Sequence, residues 1–154
     1  MYLLHPIIVH FAIVLLAVAV VCDFLYLLTQ KKNYWQIAGI LLVIGTLSAI
    51  GAVLTGSHAY EVVDIPRSAR RLVRQHRNTG TSAMWLFILT SALRFGFIQF
   101  DLFQKKIKWL YYLVALISLL FLFRTGLLGG EMAYIHGVGV EKPLPQQPQK
   151  PVFE

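Results

Sequence analysis

The sequence predicts an all-α integral membrane protein, built as an up-down bundle of four transmembrane helices. Hydrophobic residues make up 57% of the 154-residue chain, while charged residues make up only 14%, about half the share that soluble domains usually carry. The mean hydropathy is +0.65. The apolar residues also form four runs of about 20 residues, which is the length that a helix needs to cross a bilayer.

The four apolar runs cover residues 7–28, 35–54, 79–100 and 109–128. Aromatic residues of the kind found at membrane interfaces open the second and the fourth. Short turns separate the first run from the second and the third from the fourth, so these neighbours are expected to be antiparallel. Four crossings return both termini to one side of the membrane, here called side A; the other is side B.

An arginine-rich segment joins the second and third runs. Written as a helix over residues 64–77, it has one basic face and one apolar face. The basic face contains Arg67, Arg70, Arg71, Arg74 and Arg77, and the apolar face contains Ile65, Ala69, Leu72, Val73 and His76. We therefore expect an interfacial amphipathic helix whose arginines point toward lipid phosphates.

Composition excludes several kinds of partner and cofactor. The single cysteine, Cys22, rules out a disulfide framework and any cysteine-ligated zinc or iron–sulfur site. The net charge of +7 comes from residues that flank apolar runs, which suits anionic headgroups better than nucleic acid. No nucleophile elbow or pair of acids is visible, so an enzyme acting by itself is not expected. Residues 141–154 are rich in proline, and predict an extended tail after a transmembrane domain of residues 1–140.

All five histidines are expected at side A. His5 and His10 begin the first span, His58 follows the second, His76 precedes the third and His136 follows the fourth. His10 lies deepest, about one turn inside the bilayer, where an ionisable side chain is a candidate functional group. The apolar face of the amphipathic helix points His76 toward the bundle at a similar depth.

These two histidines also have purely structural interpretations. His10 could hydrogen-bond to a neighbouring helix, and His76 could simply continue the third helix. His5, His58 and His136 are supporting groups or alternative ligands. Because His5 and His10 are five residues apart, they are not expected on the same helix face.

Three charged residues lie inside the apolar runs. Asp23 and Arg94 lie at similar depth near side B, so we expect a structural ion pair between them. Arg124 lies near side A and either reaches the interface or, together with loop arginines such as Arg77, binds a carboxylate such as a haem propionate.

Several motifs resemble those of a family of predicted bacterial membrane proteins, known as domain of unknown function 2231. Residues 4–11 are similar to its L-H-P-x-x-V-H-F opening, although Ala12 stands where the family often has proline. Residues 51–56 are similar to its threonine-glycine element, and residues 75–77 to its loop histidine. Residues 129–140 resemble its closing glycine-glycine and H-G-V-G-V element. The resemblance implies a bacterial inner membrane and partners among redox proteins, because relatives are sometimes joined to Rieske or cytochrome c domains.

We expect a membrane b-type haem protein that serves electron transfer, with His10 and His76 as axial ligands. Two imidazoles from different helices fill both axial positions of a haem iron, which favours electron transfer over oxygen binding. The alternative is a non-catalytic structural or accessory subunit of a larger membrane complex, redox or photosynthetic. A third hypothesis is a divalent-metal site, although the histidines do not have the fixed spacing of a known zinc motif.

Overall fold

The computed structural model describes residues 4–140, and these form four long helices without a β-strand. The helices are α1 (Leu4–Thr29), α2 (Lys32–Val62), α3 (Arg70–Gln99) and α4 (Lys108–Tyr134). Each is long and apolar enough to cross a membrane. The predicted fold, an all-α bundle of four membrane-spanning helices, is confirmed.

The bundle consists of two helical hairpins. A two-residue turn joins α1 to α2, and a turn containing a short 3₁₀ helix (Leu102–Gln104) joins α3 to α4. Packing is closest within each hairpin, while α2 also contacts α3 and α1 contacts α4. Helices α1 and α3 therefore stand diagonally across the core. Because all four helices alternate in direction, the beginning of α1 and the end of α4 lie together at side A.

Small side chains allow the two hairpins to approach each other in the middle of the bundle. Ala12, Ala19, Ala49 and Ala115 are buried in one core cluster with the fully buried ring of Phe87. Large apolar side chains cover the outside, and many of them are exposed. An apolar exterior needs a lipid solvent, so the protein is an integral membrane protein in contact with the bilayer.

The arginine-rich segment differs from the prediction in its boundaries. It is helical, but it is continuous with α3, after a short 3₁₀ helix at Arg67–Ala69. Pro66 prevents continuity with α2, whereas no proline interrupts the chain between Arg70 and the membrane span. The predicted faces are present, because Leu72 and Val73 are buried while the arginines are exposed. The predicted tail, residues 141–154, lies outside the described residues.

The predicted ion pair closes the bundle at side B. Arg94 Nη1 donates to Asp23 Oδ1 at 2.5 Å, and the Tyr111 hydroxyl donates to Asp23 Oδ2. Arg94 Nη2 donates to the Trp35 carbonyl at 2.7 Å, and the guanidinium carbon lies 3.8 Å from the Trp35 ring centroid. These four residues, one from each helix, form what we call the side-B lock. Within residues 4–140 no buried side-chain nitrogen or oxygen lacks a hydrogen-bond partner.

Candidate functional site

Two histidines face each other across the core at side A. His5 comes from α1 and His76 from α3, so each hairpin contributes one imidazole. The ring centroids are 6.5 Å apart and the ring planes are nearly perpendicular, at 88°. The pair lies at the opposite end of the bundle from the side-B lock.

Each imidazole is held by the other helix of its own hairpin. His5 Nδ1 lies 3.0 Å from the Ala52 carbonyl oxygen and 3.3 Å from Thr55 Oγ1. His76 Nδ1 lies 3.0 Å from the Thr125 carbonyl oxygen. A carbonyl oxygen can only accept, so in both rings Nδ1 carries the proton and Nε2 keeps a free lone pair. Donation of the second ring nitrogen to a carbonyl is the usual support of a metal-binding histidine.

Two glycines make room for these rings. Each glycine follows the accepting carbonyl by four residues, or about one helical turn. A Cβ atom at Gly56 would lie 2.8 Å from Cε1 of His5, and one at Gly129 would lie 3.2 Å from Cε1 of His76. The two halves of the site are therefore built alike, from a histidine, a carbonyl and a glycine.

We expect Gly56→Ala to displace the His5 ring and to lower the free energy of unfolding by about 1–3 kcal/mol, the usual cost of overpacking. The effect at Gly129 should be smaller, because its contact is less close. Unfolding in mixed micelles measures the stability, and NMR of ring-¹⁵N-labelled histidine reports the imidazole environment.

Gly130→Ala is the matched control, because a Cβ atom at Gly130 meets nothing within 4 Å. It should leave both histidine resonances unchanged and should not lower stability, since alanine favours a helix over glycine. Unchanged His5 resonances in Gly56→Ala would show that this glycine does not position the ring.

An apolar cavity of about 390 Å³ extends from the histidine pair into the bundle. This volume is within the range of small-molecule and cofactor sites, about 300–1,000 Å³. Phe87 and Leu122 line its inner end, and Arg77 and Tyr60 line it at side A. Small residues form much of the wall between these ends: Ala12, Ala49, Ala52, Gly80 and Ala83.

The chain after α4 also lines the cavity. Gly137 and Gly139 adopt positive φ angles of 61° and 75°, which glycine adopts without steric cost. With this backbone, Val138 and Val140 lie against the cavity. Across the opening, the Arg77 guanidinium lies 5.1 Å from the centroid of the Tyr60 ring. The mouth thus combines apolar side chains with one cation.

The structure brings together some of the predicted site residues and separates others. His76 and Arg77 line the cavity, and His5, predicted as a supporting or alternative ligand, faces His76. His10 does not face His76, because it lies on the exposed face of α1 and its Nδ1 contacts the Pro6 carbonyl of the same helix at 2.6 Å. Five residues correspond to about 140° of rotation around a helix, so His5 and His10 point in different directions.

The remaining candidates lie away from the cavity. His58 and Arg124 are exposed, and His136 is half-buried, but none of the three lines the cavity. The sequence prediction also missed the accepting carbonyls of Ala52 and Thr125. Backbone acceptors have no signature in side-chain chemistry, and only the packing of the hairpins identifies them.

Comparison with known proteins identifies the family but no close relative. No curated protein and no solved structure matches the chain significantly. A family model described as predicted membrane protein (DUF2231) matches residues 3–142. That range includes the four helices, both facing histidines and the glycine-rich segment after α4. The chain therefore belongs to the family of predicted membrane proteins DUF2231.

Proposed function

We propose that this protein is a membrane b-type haem protein that serves electron transfer, with His5 and His76 as the axial ligands. The observation that carries the proposal is the facing pair of imidazoles, each with its Nδ1 proton bound to a carbonyl. His5 takes the place that the sequence suggested for His10. The proposed location is the bacterial inner membrane, where redox proteins would be the partners.

The separation of the two rings is compatible with one metal ion between them. Imidazole–metal bonds of about 2 Å on each side would hold the ring centroids roughly 6 Å apart. The observed separation is 6.5 Å. Within residues 4–140 no hydrogen bond between the rings accounts for their approach, and two half-buried imidazoles at the membrane require a reason.

The donor set favours haem over a divalent metal ion. Structural and catalytic zinc sites use at least three protein ligands, whereas haem iron needs only two axial ligands from the protein. Within residues 4–140 no group of three or more histidine, cysteine, aspartate or glutamate side chains could hold a metal ion. Two imidazoles are therefore a complete set for haem and an incomplete one for zinc.

The cavity offers the two kinds of contact that a haem requires: apolar space for its macrocycle and a cation for its propionates. Alanine and glycine residues in the cavity wall would leave space for a flat apolar macrocycle between the hairpins. Arg77, at the side A end, offers a guanidinium to a propionate, which it can bind through two parallel hydrogen bonds. A haem held there by His5 and His76 would supply one-electron oxidation and reduction.

The visible absorption spectrum of the detergent-purified protein, expressed with ample haem, tests the proposal. We expect about one haem per chain and sharp α and β bands after dithionite reduction. A colourless protein would overturn the proposal. If it also co-purified with other membrane proteins, the accessory-subunit hypothesis would replace it.

A further inference from the structure

Four arginines form a basic surface at side A, which we call the arginine face: Arg67, Arg70, Arg71 and Arg74. All four are exposed, and at 3.6 residues per turn they share one side of the helix. The only ion pair within residues 4–140 joins Asp23 and Arg94, so none of these four arginines forms an ion pair with a carboxylate in that part of the chain. Ala69, Leu72 and Val73 are buried on the opposite side and fix its orientation.

The length of α3 determines how far this surface lies from the hydrocarbon core of the bilayer. A bilayer core takes about 20 helical residues, so a span that begins at Phe100 on side B leaves the core near Gly80. With a rise of 1.5 Å per residue, the backbone of Arg74 lies about 9 Å beyond that level and the backbone of Arg70 about 15 Å beyond it. The headgroup layer is only about 5–8 Å thick on each side. With the span placed in this way, the backbone of the outer arginines lies beyond the headgroup layer, where their side chains can contact water.

The arginine face also lies close to the cavity. His76 follows Arg74 by two residues on the same helix, and Arg77 and Tyr60 line the cavity mouth at the same end of the bundle. A protein bound to the face would thus lie next to the proposed haem site. Complementary charge accelerates the encounter of two proteins and selects the partner.

We propose that the arginine face is the docking surface for an acidic, water-soluble electron-transfer protein on side A. The choice of an electron-transfer protein as the partner rests on the proposed function. The height of the outer arginines favours a soluble partner over lipid headgroups, and the charge of the face selects an acidic partner over a basic one.

Binding of an acidic plant-type ferredoxin to the full chain in nanodiscs of neutral lipid tests this proposal without requiring haem. We expect a Kd that rises with salt concentration. The triple variant Arg67→Gln, Arg70→Gln, Arg71→Gln should weaken binding about tenfold or more at low salt. A basic cytochrome c should not bind measurably.

The matched control removes three positive charges from side B, with Lys32→Gln, Lys105→Gln and Lys106→Gln. These lysines are exposed at the opposite end of the bundle, so the Kd should change less than about twofold, because distant exposed charges are screened. Absence of ferredoxin binding by the wild type, or an equal Kd for the arginine variant, would overturn the proposal. Loss of co-purifying anionic lipid in that variant, without loss of ferredoxin binding, would assign the face to headgroups.

The two proposals can fail separately. A colourless protein that binds ferredoxin through the arginine face would contradict the haem and retain the docking surface. A red protein with the expected spectrum that does not bind ferredoxin would retain the haem and contradict the docking surface.

Discussion

Replacing either His5 or His76 with alanine is expected to remove the low-spin haem spectrum, whereas His10→Ala is expected to leave it unchanged. His5 and His76 face each other across the cavity, while His10 lies on the exposed face of the same helix as His5. Without either imidazole, only one protein ligand would remain to hold the haem. Visible spectra of the purified variants, with haem quantified per chain, measure the effect.

His10→Ala is the matched control, because it removes the same side chain from the same helix about 1.4 turns away. Circular dichroism and size-exclusion chromatography establish that each variant is folded before the spectra are compared. A normal spectrum in His5→Ala together with a lost spectrum in His10→Ala would contradict the assignment and restore the pair suggested by the sequence.

Asp23→Ala is expected to lower the free energy of unfolding by about 3–5 kcal/mol, because it leaves a buried charge without its partner. Arg94 is only 4% exposed, and its guanidinium would keep the Trp35 carbonyl and the Tyr111 hydroxyl but no carboxylate. Tyr111→Phe should cost less, about 1–3 kcal/mol, since it removes the hydroxyl that bonds to Asp23 and Arg94 but leaves the ion pair intact. Denaturant titration in mixed micelles gives these values.

A double variant distinguishes the cost of an unpaired buried charge from the cost of lost packing. In Asp23→Leu with Arg94→Met both charges are absent, so most of the lost stability should return, because a buried ion pair can often be replaced by apolar side chains. Arg124→Ala, at an exposed site, should change stability by less than about 0.5 kcal/mol. If Asp23→Ala cost no more than the exposed control, the side-B lock would not stabilise the bundle.

The helices and the ion pair between Asp23 and Arg94 could be predicted because both follow from the chemistry of the bilayer. Apolar runs must form helices in lipid, and two opposite charges at the same depth are expected to pair. The predicted pairing of His10 with His76 differs from the structure, in which His5 faces His76, because the prediction relied on depth and not on the direction of the side chain. Depth along a helix does not determine which face a residue occupies.

The sequence spacing between each histidine and a member of the ion pair predicts which histidines face each other. His5 precedes Asp23 by eighteen residues, and His76 precedes Arg94 by eighteen residues. Eighteen residues make five complete turns of an α-helix, so each histidine shares a helix face with a member of the predicted ion pair. If Asp23 and Arg94 meet across the core, His5 and His76 should meet one membrane thickness away.

The cavity itself could not be predicted from the sequence. Its volume depends on how closely the two hairpins approach each other. Gly56 and Gly129 were recognisable as small residues, but their contacts with the rings arise only when α2 packs on α1 and α4 packs on α3. The boundary of the arginine-rich segment was also uncertain in the sequence, because amphipathic periodicity does not reveal whether a helix continues into the next span.

Electron paramagnetic resonance of the oxidised protein is the most direct test of the central claim, that His5 and His76 together ligate a haem iron. Their ring planes are nearly perpendicular, at 88°, and two imidazoles held at this angle would give a bound ferric haem a strongly anisotropic low-spin signal. We expect this signal in the wild type and its conversion to a high-spin signal in His76→Ala. A high-spin wild type, or a sample without ferric haem, would contradict the claim.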